Sequence, residues 1–126
     1  MPVRDEADHI ARSLGAVLAQ DWPADRLEVL VADGRSTDTT RSIVEELARG
    51  TSVPVTVLDN PEGIVPTGLN RAIAAASGDI VIRVDGHCEV PRDYVDRLVE
   101  ALRTSPSADC VGGVLRTVGA GPVAAA

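Results

Sequence analysis

The tripeptide Asp85-Gly86-His87 carries the side chains best suited to chemistry in this 126-residue sequence. It follows an apolar run, residues 80–84, which predicts a buried strand that ends in a turn. Ligands bind at the carboxyl ends of the strands in open α/β sheets, so this turn would lie at a binding edge. A carboxylate and an imidazole there could hold a divalent cation against a diphosphate. Taken alone, the pair does not distinguish a metal site from a polar turn.

Two other predicted strands end in polar residues. Pro2-Val3 is interpreted as the end of a first strand that leads into Arg4-Asp5-Glu6, and residues 27–32 predict a second strand that ends at Asp33-Gly34. The carboxyl ends of parallel strands share one edge of a sheet, so these side chains should lie beside Asp85. This convergence of three strand ends is a stronger indication of a binding site than any single motif.

The elements that must position these residues alternate along the chain. Helices are predicted between Asp5 and Trp22, from Thr40 to Gly50, from 67 to 77 and from Pro91 to Leu102, with acidic residues in the first turn of the first helix. Further strands are predicted at 53–58, 79–84 and 110–115. Alternating strands and helices with short connections predict a three-layer α/β/α fold with a mostly parallel sheet.

Composition and missing motifs exclude several classes of protein. The net charge of −7 argues against a nucleic-acid surface, which needs a basic stripe. No apolar run reaches the roughly 18 residues of a membrane span, and no signal peptide is visible. Cys88 and Cys110 fit no metal or disulfide pattern, which favours reduced thiols and a cytoplasmic location. There is no GxGxxG, no P-loop and no nucleophile elbow.

Four residues have structural interpretations beside the functional ones. Asp33 before a glycine could be only a turn residue, and Ser36 and Thr37 are better explained as a helix cap than as phosphate contacts. The glycines that follow the aspartates would allow positive φ and a close approach of ligand to backbone. Arg83, within an apolar run, must reach a carboxylate, a phosphate or the edge of the sheet, because burying an unpaired guanidinium is costly.

As a set, the motifs resemble the family 2 glycosyltransferases, which have the GT-A fold. The Arg-x-Asp-x-His form is most similar to the bacterial exopolysaccharide, succinoglycan-type subgroup. The matching segments follow the order of the family over about residues 2–116, and they are Pro2-Val3-Arg4-Asp5-Glu6, Gln20-Asp21-Trp22-Pro23, residues 31–38, Asn60-Pro61, Gly68-Leu69-Asn70-Arg71, Ala76-Ser77-Gly78-Asp79 and Arg83-Val84-Asp85-Gly86-His87.

The resemblance implies roles for individual residues. Asp33 would hydrogen-bond uracil or its equivalent. Asp85 would approach the ribose and, with His87, hold Mn²⁺ or Mg²⁺ on the diphosphate, although His87 stands where the family usually has the second aspartate of Asp-x-Asp. The nucleotide would be framed by Pro2, Val3, Arg4 and Glu6, and the region near the donor sugar would include Asn70, Arg71 and Arg83.

The resemblance also implies an activity. An inverting, metal-assisted enzyme would transfer a sugar from a nucleoside-diphosphate sugar, UDP-sugar above all, to a glycan or lipid-linked acceptor in polysaccharide or cell-envelope synthesis. Residues 1–118 would be a GT-A portion that binds the donor and is incomplete at the C-terminal side, and 119–126 a flexible tail. The base is expected beyond Ala126, so little transfer is expected from this chain alone. Missing segments would allow peripheral association with the inner face of the cytoplasmic membrane.

Two alternatives stay open at this stage. One is a non-catalytic nucleotide-binding or interaction module, a truncated or decayed reading frame that keeps the fold without the chemistry. The neighbouring coding DNA would distinguish it, because a continuing open frame favours the enzyme. The other is a nucleotidyltransferase, which would need a Gly-rich, basic loop after the first strand. Arg4-Asp5-Glu6 is not such a loop.

Overall fold

Three runs rich in β-branched residues form a parallel sheet, and four amphipathic segments form the helices. The computed structural model describes residues 1–114 and Arg116. Its strands are β1 (Pro2–Val3), β2 (Val29–Asp33) and β3 (Val55–Asp59), in the order β1-β2-β3. Its α-helices are α1 (Ile10–Leu18), α2 (Thr40–Arg49), α3 (Val65–Ala75) and α4 (Tyr94–Thr104), and a 3-10 turn covers Ala24–Arg26.

The two faces of β2 contact different helices, because successive side chains of a strand point to opposite faces. Val31 is fully buried in the main apolar cluster, together with Leu14 of α1 and Val44 of α2. Ala32 faces the other way, and its Cβ lies 3.3 Å from the position that a Cβ on Gly68 of α3 would take. The predicted three-layer arrangement with a parallel sheet is therefore confirmed for the described residues.

The first helix has the predicted apolar face but begins later than expected. Ile10, Leu14 and Val17 are buried at helical spacing. The acidic residues predicted for its first turn precede the helix, and the carbonyl of Glu6 accepts hydrogen bonds from the amides of His9 and Ile10 at 2.9 and 2.8 Å. Asp5, Glu6 and Asp8 therefore lie in the loop after β1 and not along a helix.

The prediction of a fourth strand at residues 79–84 is wrong. The structure assigns this segment no strand, and Val81 and Ile80 are 57 % and 41 % exposed. A strand needs an extended neighbour with matching hydrogen-bonding groups, and β1 offers only two residues. Val84 is nevertheless buried in the core cluster, so the segment lies where the prediction placed it without forming a ladder.

The prediction of a last strand at 110–115 also fails in the described part. Residues 110–114 have no strand assignment, and Val114 is 94 % exposed. With no strand at 79–84, there is no sheet edge beside this segment to pair with. Leu115 and the predicted flexible tail, 119–126, lie outside the described residues.

Glu28 fixes the segment that follows α3. Its Oε1 accepts hydrogen bonds from the amide and hydroxyl of Ser77, both at 2.7 Å, and from the amide of Gly78 at 3.2 Å. The bonds from Ser77 lower the pKa of Glu28 below its ordinary value of 4.5. The prediction of Gly78 as the C-cap of α3 is wrong, because α3 ends at Ala75 and its C-cap is Ala76.

We expect Glu28→Gln to lower stability at neutral pH and not in acid. A carboxylate whose pKa is lowered in the folded state contributes stability above its unfolded pKa, and this contribution is lost as pH falls through the folded value. The loss should be at most about 1 kcal/mol, because the group is well solvated. Urea unfolding of both proteins from pH 7 to pH 3 measures it, with exposed Glu46→Gln as control; a difference that persists below the folded pKa would contradict the assignment.

Candidate functional site

A small cavity lies at the carboxyl end of β1, between the loop after that strand and the Asp85-Gly86-His87 turn. Its volume is about 180 Å³, below the roughly 300–1,000 Å³ of typical small-molecule sites, so it suits part of a nucleotide rather than a whole nucleotide sugar. Six of the predicted site residues line it, and its lining is Pro2, Val3, Arg4, Glu6, Asn60, Gly63, Ile64, Val65, Asp85 and His87. Two of the three predicted strand ends therefore meet here.

The loop after β1 is held by the start of the α2 region. Asp5 has φ 52°, and its amide donates to Ser36 Oγ at 3.0 Å. Its Oδ1 accepts from the amide of Thr37 at 2.7 Å. The amide of Glu6 donates to Thr40 Oγ1 at 2.7 Å. Ser36 and Thr37 thus join two loops, and α2 has no side-chain bond at its N-cap, so their predicted role as a helix cap is wrong.

The turn at 85–88 is anchored from the opposite side. The carbonyl of Asp85 accepts from the amide of Cys88 at 3.0 Å and from Ser13 Oγ of α1, also at 3.0 Å. Gly86 is buried, and a Cβ there would lie 3.0 Å from Val3 Cγ1 and 3.1 Å from Glu6 Cγ. The glycine is therefore needed so that the two loops can touch.

Arg83 pairs with the carboxylate of Asp85, and a carboxylate is one of the three kinds of partner expected for it. Its Nε and Nη2 donate to the two oxygens of Asp85 at 2.9 and 3.1 Å, and the Arg83 side chain is 55 % exposed. The hydrogen bond to Asp85 raises the pKa of Arg83 above its ordinary range. The guanidinium is thus not buried. It binds the Asp85 carboxylate, to which the family resemblance gives the role of metal ligand.

The side chains at the cavity supply only part of the ligand set that a divalent cation needs. Asp85 and His87 line one cavity, but no group of three or more His, Cys, Asp or Glu side chains within the described residues could hold a metal ion. Mg²⁺ sites often use one or two protein ligands and complete their shell with substrate phosphates and water. The residues present therefore fit a cation that arrives with a diphosphate, and they do not fit one held by protein alone.

Asp33 does not line the cavity. It is 4 % exposed and lies on the face of β2 that carries Val31, which points toward α2. Its Oδ1 accepts from the amide and hydroxyl of Ser36 at 3.1 and 2.6 Å, and its Oδ2 lies 3.6 Å from Arg41 Nη1. Asp33 is thus held by its own loop through Oδ1 and by an ion pair with Arg41 of α2 through Oδ2.

Asn70 and Arg71 lie on α3, away from the lining of the cavity. Both are exposed, and Arg71 Nη2 donates to the two oxygens of Glu62 at 3.0 and 3.2 Å. That contact lowers the pKa of Glu62 below its ordinary value. Asn70 and Arg71 therefore do not line the cavity, whereas Arg83, the third residue predicted for the donor-sugar region, bonds to Asp85, which does.

Four lining residues were not predicted as site residues: Asn60, Gly63, Ile64 and Val65. Asn60 is 2 % exposed and fastens the start of α3, because its Nδ2 donates to the Ile64 carbonyl at 2.9 Å. Applying the strand-end rule to β3 would have found this loop, since Asn60 directly follows Asp59.

Positive φ occurs at Gly63, at 68°, and not at the glycines after Asp33 and Asp85, so that expectation is wrong. Gly34 and Gly63 instead lie close to a protein side chain. A Cβ on Gly34 would lie 3.2 Å from Arg4 Cβ, and one on Gly63 would lie 2.7 Å from Arg4 Nη1. The two glycines make room for Arg4, whose Nη1 lies 3.3 Å from the Gly63 carbonyl oxygen.

A parallel α/β sheet with a cavity at its strand ends places the chain in the class of open α/β proteins, which bind ligands at this edge. Comparison with known proteins narrows this class. The chain matches the model described as Glycosyl transferase family 2 over residues 1–123. The chain belongs to this family.

The chain is similar to known proteins in sequence and in structure. The chain is 42 % identical over 123 residues to the succinoglycan biosynthesis protein ExoA of Rhizobium meliloti. This match covers 94 % of the chain and 36 % of ExoA. Among solved structures it resembles the mannosyltransferase PcManGT of Pyrobaculum calidifontis in complex with GDP-Man and Mn²⁺, with TM-score 0.75 and 34 % identity over 79 % of this chain and 30 % of that one.

It also resembles S. aureus TarS 1-349 in complex with UDP, with TM-score 0.74 and 25 % identity, covering 83 % of this chain and 31 % of that one. The sequence-based identification of family and GT-A fold is thus confirmed. The chain spans about a third of the length of these relatives. No helix within residues 1–114 and Arg116 is long and apolar enough to cross a membrane.

Proposed function

We propose that this chain binds the nucleoside-diphosphate part of a nucleotide sugar, as the donor-binding portion of an inverting glycosyltransferase in polysaccharide or cell-envelope synthesis. The observation that carries the proposal is the cavity where the loop Pro2–Glu6 meets the Asp85-Gly86-His87 turn. It lies where open α/β sheets bind ligands. The names of the similar proteins, which include a UDP complex and a GDP-Man complex, support a nucleotide-sugar donor.

Within this proposal the loop after β1 frames the base and ribose. Pro2 and Val3 supply buried apolar walls, and Arg4 supplies a planar cation at the rim. We favour uridine as the base. A direct contact between the base and Asp33 remains part of the proposal, and it requires a rearrangement that exposes this side chain, which is 4 % exposed and does not line the cavity.

Asp85 and His87 are the proposed ligands of Mn²⁺ or Mg²⁺. When bound with the diphosphate, the cation would stabilise the negative charge that develops on the leaving group. Arg83 holds the Asp85 carboxylate in its present orientation and would need to release it. Once released, the guanidinium has the fork geometry that suits phosphate oxygens, which keeps Arg83, with Asn70 and Arg71, in the proposed donor region.

The acceptor and the location of the reaction also belong to this proposal. The acceptor would be a glycan or a lipid-linked glycan, whose hydroxyl attacks the anomeric carbon after a carboxylate base removes its proton. None of the described residues is assigned as this base. We place the reaction in the cytoplasm, at the inner face of the membrane, where a lipid-linked acceptor would be available.

Calorimetric titration with UDP and with GDP, each with and without Mn²⁺, tests the proposal. We expect UDP to bind and Mn²⁺ to tighten its binding, because Asp85 and His87 would hold a cation that offsets the charge of the diphosphate. Equal affinity for UDP with and without Mn²⁺ would remove the metal role. Failure of both nucleotides to bind would overturn the nucleotide site and favour the non-catalytic interaction module.

A further inference from the structure

The carboxylate of Glu6, which lies 81 positions before His87 in the sequence, contacts the ring of His87. His87 Nδ1 lies 2.8 Å from Glu6 Oε1, a distance typical of a charge-assisted hydrogen bond. The Glu6 side chain is 19 % exposed, whereas that of His87 is 60 % exposed. The ring is thus fastened on its Nδ1 side to a sheltered group and projects from it.

Glu6 is fixed independently of the histidine. Its amide donates to Oγ1 of Thr40, which is fully buried, and its carbonyl accepts from the amides of His9 and Ile10 at the start of α1. Its Cγ passes 3.1 Å from the position that a Cβ on Gly86 would occupy. The backbone of Glu6 is therefore anchored to α1 and α2, and the side chain is confined by the turn that carries His87.

The chemistry of the pair determines which ring nitrogen is free. A carboxylate accepts hydrogen bonds and cannot donate them, so Nδ1 must carry the proton in this contact. The neutral ring then has its lone pair on Nε2, the nitrogen that points away from Glu6. A histidine that ligates a metal is commonly held in this way by a carboxylate on its other nitrogen.

We propose that Glu6 is a positioning residue that fixes the tautomer and orientation of His87, so that Nε2 is presented to a divalent cation. This inference rests on the proposed function, because it supplies the cation and the diphosphate. Glu6 is not a third ligand in this scheme. Its Oε1 already bonds to the ring, and the described residues contain no cluster of three groups that could hold a metal.

The tautomer can be tested in the metal-free chain. Long-range ¹H–¹⁵N correlation spectra at mildly alkaline pH distinguish protonated from unprotonated ring nitrogens, and His9→Ala assigns the spectra because the sequence has only two histidines. We expect the Nδ1-protonated form at His87. Glu6→Ala should convert it to a mixture richer in the Nε2-protonated form, whereas Glu6→Gln, which keeps a carbonyl acceptor, should convert it less.

Mn²⁺ binding in the presence of UDP provides the second readout. Glu6→Ala should weaken Mn²⁺ binding about 10-fold, the lower end of the loss seen when a group supporting a metal ligand is removed. In the His87→Ala background the same change should alter Mn²⁺ affinity by less than about twofold, because the group it acts through is gone. Circular dichroism confirms folding, and exposed Glu46→Gln controls for the charge change.

The outcomes separate this inference from the proposed function. An unchanged tautomer in Glu6→Ala, or an equal Mn²⁺ loss with and without His87, would overturn the positioning role while leaving metal-dependent UDP binding intact. UDP affinity that does not depend on Mn²⁺ in the unaltered chain would overturn the metal role and, with it, this inference. A shifted tautomer together with a loss that requires His87 would establish it.

Discussion

Replacing Asp85 with alanine is expected to abolish the effect of Mn²⁺ on UDP binding. Asp85 is the one carboxylate proposed as a direct ligand, and losing it should cost at least the roughly 10- to 100-fold in metal affinity that follows loss of a mere supporting group. UDP affinity without metal should stay the same or rise. Arg83 Nε and Nη2 now donate to the Asp85 carboxylate, and its removal would leave them available for phosphate oxygens.

The measurement is calorimetric titration of UDP with and without Mn²⁺. Asp96→Ala is the matched control, since it removes an exposed carboxylate from the first turn of α4. Asp85→Asn keeps one carbonyl oxygen and should retain part of the effect. If Asp85→Ala binds UDP with the full Mn²⁺ dependence of the unaltered chain, the metal ligand has been assigned to the wrong residue.

Replacing Leu14 with alanine is expected to destabilise the core strongly. Leu14 is fully buried in the apolar cluster that contains Ile10 and Val31. Leu-to-Ala changes at such positions cost about 2–5 kcal/mol, because the buried methyl groups are lost and a cavity remains. That is a large part of the roughly 5–15 kcal/mol that stabilises a typical domain.

Urea unfolding followed by circular dichroism tests this expectation. Leu18→Ala on the same helix is the control, because it makes the same chemical change at a half-buried position and should cost clearly less. Equal losses at both positions would show that α1 does not pack against the sheet as described. Because Ser13 of α1 bonds to the carbonyl of Asp85, loss of this packing should also weaken UDP binding.

The elements that repeat a local pattern were predicted well from the sequence. The apolar face of α1, the strand that ends at Asp33 and the end of α2 at Gly50 all depend on neighbours a few residues away. The carboxyl ends of parallel strands must share an edge, so the meeting of Pro2–Glu6 with Asp85 and His87 could also be anticipated.

The strand predicted at 79–84 shows where local pattern is insufficient. Its residues have high β propensity, yet a strand forms only beside a partner, and the partner is set by the tertiary arrangement. Asp33 is a second case. Its position at the end of a strand predicted a place beside Asp85, but the two-residue period of β2 turns this side chain toward Arg41 and its own loop.

The sequence by itself determined the family, the layered fold and the residues that gather at one edge, because motif order and hydrophobic period are properties of the chain alone. Only the tertiary structure decided which of these residues touch. The contact of Glu6 with His87 joins segments 81 positions apart. Side-chain partners at such distances are selected by packing, and no local pattern in the sequence encodes them.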